Sequence, residues 1–253
     1  MVKRLQILAA LALLTASPAQ GELPTYTCVK TAAAAMVDVS DLSGRRQHAH
    51  PTQVRMLWDE EQLYVLFIAT DPDAWSTLAD RDDRLWNEEV VEFYADPDGD
   101  GANCVEIEVN PLNTVVDLLL SKPWGQNGRG YFDWSPQFAT AVHVEGTIND
   151  PSDRDQYWSV EMALPWSIFA SDMLDVAGGR QLPPRPGDEW RCNFYRYEPL
   201  RTGVVETAVE YSAWSPVGEI DFHRPDRFGT VVFAEASTQV MQLTWGTVKT
   251  WPR

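Results

Sequence analysis

Residues 84–101 read RLWNEEVVEFYADPDGDG, which sets one tryptophan, three glutamates within five positions and an Asp-Gly turn in a single stretch. Three chemistries use such residues. A carboxyl pair roughly 5–10 Å apart, one member with a raised pKa, hydrolyses glycosidic bonds. Aspartates at alternate positions before a glycine open a calcium loop. An indole beside a carboxylate can cover the C–H face of a sugar while the acid accepts hydroxyl protons, and charge-assisted hydrogen bonds are the stronger kind. Each needs different company elsewhere in the chain.

Strand alternation places Val90, Glu92 and Tyr94 on one face, with Val91, Phe93 and Ala95 on the other. In the following NCVEIEVN, Val105, Ile107 and Val109 face the core, and Glu106 and Glu108 face away. Glu92 can then join Glu106 or Glu108 on a polar sheet face near Trp86; a solvated face of an acidic protein explains the same glutamates. Hydrolysis finds no further support, for no nucleophile motif, histidine-rich metal set or cofactor loop occurs, so the chain reads as a non-enzyme. Asp96, Asp98 and Asp100 precede Gly101 like a calcium loop, but Ile107 stands where an EF-hand needs its glutamate and the flanks read as strands. A calcium ion there would be structural, and a hairpin turn rich in Asp and Gly accounts for the same residues. Of eleven tryptophans, Trp75, Trp86, Trp124, Trp134 and Trp214 fall in turns. Core packing explains most tryptophans in such a chain; Trp86, between Asp82-Asp83 and Glu88-Glu89, is the least core-like.

These residues need a scaffold. Residues 1–20 combine Lys3 and Arg4 with LQILAALALL and the small residues of TASPA, the pattern of a cleavable signal peptide ending near Ala19 to Gly21. The apolar run is short for a membrane span, so the chain is expected to be secreted or periplasmic. The formal charge of −17 becomes −17 − 2 = −19 without the two basic residues of that segment. Such a surface disfavours nucleic acid and anionic lipid and suits neutral or cationic partners. Cys28, Cys104 and Cys192 match no zinc spacing; one disulfide with a spare thiol, or three buried thiols, are both compatible.

Period-2 runs bounded by Pro, Gly, Asp and Asn dominate the remaining chain. TQVRMLWD (52–59) and QLYVLFIATD (62–71) form one expected hairpin, and EVVEFYAD (89–96) with NCVEIEVN (103–110) a second. Further strands are expected in TVVDLLLS, QFATAVHVEG, QYWSVEMALP, EWRCNFYRY, ETAVEYSAW and RFGTVVFA, with an edge strand in VMQLTWGTVK. PWSIFASDML reads as the one short helix, with Pro165 at its first turn. Residues 32–51 lack strand periodicity and are expected to cross an end of the fold. Recurrent turns without βα alternation predict an all-β chain: a β-sandwich of two antiparallel sheets, as one domain over 21–253.

The ordered blocks LYVLFIATD, DDRLWNEEVVEFYADPDGDG, EIEVNP, YWSVEMALPWSIF, WRCNFYRY, YSAWSP and FHRPDRFG, across 52–233, resemble the family 9 carbohydrate-binding modules. The resemblance implies a sandwich that holds a sugar between two aromatic plates. Trp86 falls on the first plate, Glu92 on the family's carboxylate and Phe222 on the second plate, where a tryptophan is usual. Glu108 falls near a family arginine, reversing its charge, and Glu219 on an expected amide. His223, Arg224 and Arg227 sit beside Phe222; Arg196 and His223 are hydroxyl donors if they face the site and structural ions if they do not. An all-acid rim suits an amino sugar or a bridging cation. Family members can carry structural calcium, which bears on Asp96, Asp98 and Asp100. The implied partners are an oligosaccharide or polysaccharide, and a separate glycoside hydrolase in carbohydrate catabolism. The competing readings are a sandwich that keeps only structural or protein contacts, and a haem binder drawing on Met56, His48, His50 or His143.

Overall fold

The computed structural model describes residues 22–30, 34–170 and 181–236. The expected signal segment and the edge strand expected in 240–249 lie outside the described residues. Among the described residues, thirteen strands join into one hydrogen-bonded system. They are β1 (Thr25–Lys30), β2 (Val37–Asp41), β3 (Thr52–Trp58), β4 (Gln62–Thr70), β5 (Val90–Asp96), β6 (Cys104–Val109) and β7 (Val115–Leu120). The others are β8 (Gly130–Tyr131), β9 (Ala139–Glu145), β10 (Tyr157–Pro165), β11 (Glu189–Thr202), β12 (Val205–Ala213) and β13 (Gly229–Ala234).

One layer runs β8-β7-β6-β5-β11 and the other β3-β4-β10-β9. The layers are bridged at both ends, by β12 and β2 on one side and by β13 and β1 on the other, which closes a ring through β11 and β3. Most pairings are antiparallel, as expected, but β1 runs parallel to both β13 and β3. Both expected hairpins form, with Met56 opposite Val65 and Phe93 opposite Ile107. β2 lies inside the stretch expected to be irregular; five residues are too few to show a period. The expected helix is a 3-10 turn over Trp166–Ala170, its remainder falling outside the described residues, and no α-helix occurs among those described.

Alternation builds the core. Leu63, Val65, Phe67 and Ala69 of β4 are buried while the residues between them stay partly open. Phe194 of β11 stacks on Phe93 at 5.8 Å and meets Phe67 edge-on at 6.0 Å, joining the layers. Cys28 and Cys104 are buried free thiols, and Cys192 is buried in the same core as Cys28.

β5, β6 and β7 depart from simple alternation, because every residue in them is buried. Val91, Phe93, Ala95, Val105, Ile107 and Val109 face the core between the layers. Loops cover the opposite face. Leu85 packs there with Val90, Val116, Leu118 and Leu120, and Phe222 and Phe228 pack there with Tyr94 and Cys104. Glu92, Glu106 and Glu108 are therefore enclosed, which overturns the solvated-face reading of these glutamates.

Candidate functional site

Between these two apolar clusters lies a cavity of about 310 Å³, lined by the side chains of Trp86, Glu92, Tyr94, Glu106, Glu108, Leu118, Trp124, Phe132, Tyr197 and His223. That volume is at the small end of the range for ligand sites, about 300–1,000 Å³. Strand register explains the lining. Glu92 stands directly opposite Glu108, and Tyr94 opposite Glu106; paired residues share a face. On the other flank of β5, Tyr195 pairs with Glu92 and Tyr197 with Val90.

The two indoles frame this ladder from opposite ends. Trp86 belongs to the 3-10 turn Leu85–Asn87 that leads into β5, and Trp124 to the turn Trp124–Gln126 that follows β7. Antiparallel pairing of β5 with β6 and of β6 with β7 puts Val90 and Val115 at one end of the ladder and Ala95 and Leu120 at the other. Trp86 is half-buried against the Leu85 cluster. Trp124 is 45% exposed, meets the His223 ring edge-on at 5.7 Å and lies against Gly130, where a Cβ would come within 2.9 Å of its ring.

The polar lining is acidic. His223 Nε2 sits 3.1 Å from Glu106 Oε2 and 3.4 Å from the Tyr94 hydroxyl. Glu92 Oε2 and Glu108 Oε2 are buried with no hydrogen-bond partner. Burial, then the charge of Glu106, raises the Glu92 carboxyl well above its ordinary value. Burial, then the charges of Glu92 and Glu106, does the same to Glu108.

The structure brings Trp86, Glu92, Glu108 and His223 together, and places two other expected residues elsewhere. Phe222 is buried behind the cavity wall, stacked on Tyr195 at 4.1 Å and 5° and touching Tyr197 at 5.0 Å. It braces a lining tyrosine instead of forming the second plate. Arg196 pairs in register with Val91, so it takes the inner face. There it is fully buried, 3.0 Å from Asp71 and 3.1 Å from Glu89, and bonded to Glu198. Burial, with mutual carboxylate repulsion, lifts Asp71 to about 9 and Glu89 to about 8, and burial lifts Glu198 to about 7. The one guanidinium is the cation that this cluster of three carboxyls surrounds. Arg196 is a structural ion.

Glu219 is exposed and pairs with Arg224 at 2.5 Å, on the surface. Trp134 and Trp214 are core residues, and Trp75 lies under Arg201. The haem candidates do not assemble: Met56 is in the core, His48 and His50 pair with Glu210 and Glu198, and His143 pairs with Glu145 on β9. Ligand oxygens of Asp96, Asp98 and Asp100 converge within 4.8 Å. That donor type suits a hard cation. Both oxygens of Asp96, one of Asp98 and one of Asp100 already accept amides of the same turn, so the turn closes on its own hydrogen bonds. Burial, opposed by those amides, lifts Asp96 to about 7.

By sequence Trp124 was only one of five turn tryptophans and Tyr94 only a neighbour of Glu92 on its strand face; Phe132 and Tyr197 were not singled out. Trp124 and Phe132 carried a signal: two large aromatics in the Gly- and Asn-rich stretch KPWGQNGRGYF, where no strand could bury them.

The β-sandwich carries an aromatic- and carboxylate-lined cavity on one sheet face, and the family whose model it matches is one of non-catalytic binding modules. The model of carbohydrate-binding family 9 matches residues 47–233, and the chain belongs to that family. Its fold is similar to that of a candidate carbohydrate-binding protein from Bacteroides uniformis, at 15% identity and TM-score 0.59, covering 84% of this chain and 100% of that one. It is also similar to a family 9 carbohydrate-binding module from Caldicellulosiruptor kristjanssonii in complex with glucose, at 14% identity and TM-score 0.50, covering 85% and 98%. No curated protein matches the chain in sequence.

Proposed function

We propose that this module is exported and binds a mono- or oligosaccharide in the cavity between Trp86 and Trp124. The single observation that carries this reading is the lining itself, which sets two partly open indoles around Glu92, Glu106, Glu108 and His223. The indoles cover the C–H faces of a pyranose, and the carboxylates accept its hydroxyl protons. His223, held by Glu106, is the basic group that lines the cavity among the described residues and can serve a hydroxyl oxygen. The glucose held by the family member from Caldicellulosiruptor kristjanssonii makes glucose the first sugar to test. The N-terminal segment supports export to the periplasm or the outside, where the module would serve a separate glycoside hydrolase by holding its polysaccharide.

Isothermal titration calorimetry against glucose, other hexoses and soluble oligosaccharides tests the reading. Saturable binding that Trp86→Ala abolishes is expected. A protein that ignores every sugar in a broad glycan array refutes it and passes the assignment to a sandwich retained for protein contacts.

A further inference from the structure

The ionisable side chains of the cavity are unbalanced toward acid, and a cation entering it is the charge that would let the Glu92–Glu108 pair ionise. Among the described residues, three glutamates line the cavity and no lysine or arginine does. His223 sits on Glu106, 3.1 Å away, which leaves Glu92 and Glu108 facing each other across the strand pair. Each is 1% exposed, and each keeps one oxygen without a partner. A buried carboxylate is costly unless it is paired and hydrogen-bonded. A neutral sugar offers one donor per hydroxyl and no charge. An ammonium group offers three donors and a positive charge at once.

The walls suit the same ligand. Trp86, Trp124, Tyr94 and Tyr197 present ring systems around the acids, and aromatic rings attract cations. We propose that the preferred occupant is an amino sugar with a free ammonium group, which docks between Glu92 and Glu108 while the ring stacks on the indoles. This rests on the carbohydrate reading above and adds the charge of the ligand to it. The unpartnered oxygens are the acceptors that a neutral hexose leaves uncompensated.

Calorimetry on matched pairs tests it: glucose with glucosamine, galactose with galactosamine and mannose with mannosamine, each beside its N-acetylated form. In the configuration that binds, the free amine is expected to bind at least about tenfold tighter than its hydroxyl parent, the increment of one charge-assisted hydrogen bond. The N-acetylated form, which has lost the charge, shows no such gain. In Glu92→Gln/Glu108→Gln, and more weakly in Glu108→Gln alone, the amine-to-parent ratio falls toward one. Glutamine keeps the shape and removes the charge, and circular dichroism verifies folding.

Equal affinities for amine and parent in the wild type overturn the proposal while sugar binding stands. A ratio that survives in the double variant also overturns it, because the carboxylates are then not its source. Tetramethylammonium binding as tightly as the amino sugar removes the sugar from the proposal and refutes it. Binding of no sugar in any configuration removes both this proposal and the reading beneath it.

Discussion

Trp124→Ala isolates the plate that the structure adds. The indole is 45% exposed. Of the roughly 200 Å² such a side chain can bury, a sugar ring seated on one face covers about 50 Å², worth about 1 kcal/mol at 25 cal/mol per Å². The aromatic contact itself adds about 1 kcal/mol. Together these give about 2 kcal/mol, or roughly 30-fold in affinity. Stability should hardly move, because Trp124 sits in a one-turn loop and touches chiefly His223 and Gly130; a change within about 1 kcal/mol is expected. Trp86→Ala differs: it also loses packing against Leu85 and its neighbours, so its midpoint falls by several degrees while binding is lost. Titration of each variant with the best-bound sugar, beside thermal melts, separates the two effects. Wild-type affinity in Trp124→Ala at an unchanged midpoint would show that this indole faces no ligand and would refute the geometry.

Three further outcomes follow from the buried charges. Burial holds the Glu92 carboxyl above its ordinary 4.5 in the native state, so the folded protein keeps a proton that the unfolded chain releases. Stability from this group is greatest below about 4.5 and declines as pH rises toward the raised native value. Glu92→Gln should therefore raise the melting midpoint by roughly 2–4 °C near pH 8, on the order of 1 kcal/mol, and leave it unchanged near pH 4; a gain independent of pH contradicts the burial argument. Arg196→Met strands Asp71, Glu89 and Glu198 and should cost about 3–5 kcal/mol in urea unfolding, whereas a loss under 1 kcal/mol means that the cluster is neutral without it. Calcium added to EDTA-treated protein should leave the midpoint within about 1 °C, since the turn around Asp96 already satisfies its carboxylates. A rise of several degrees would reveal a structural ion there.

Most of the scaffold was legible because its strands are long enough to show a period. β4 and β10 alternate over nine residues each, and both hairpins could be drawn from their turns. β2 has five residues and β8 two, and neither could announce itself. Within the site, Trp86, Glu92, Glu108 and His223 were readable from parity and from the order of the family blocks. Phe222 was expected as the second plate, and Arg196 was left open between a site donor and a structural ion. For Arg196, sequence gives alternation along the strand but not which parity faces the cavity until the neighbouring register is known; for Phe222, a loop position, it gives no facing at all. Once Tyr195 is opposite Glu92, Arg196 must turn inward. The burial of the glutamates was invisible for another reason: their cover comes from Leu85, Trp124 and residues 222–228, far apart in the chain and joined only by folding.

β11 carries the inward arginine and the outward tyrosines on consecutive positions. Inserting or deleting a single residue ahead of Tyr195 would exchange them, driving a guanidinium toward the cavity and two phenols into the interior. This part of the molecule can therefore diversify only by substitution, one side chain at a time. Changes in length are confined to the turns that carry Trp86 and Trp124, so new ligand preferences should arise from the rim of the hollow before its floor.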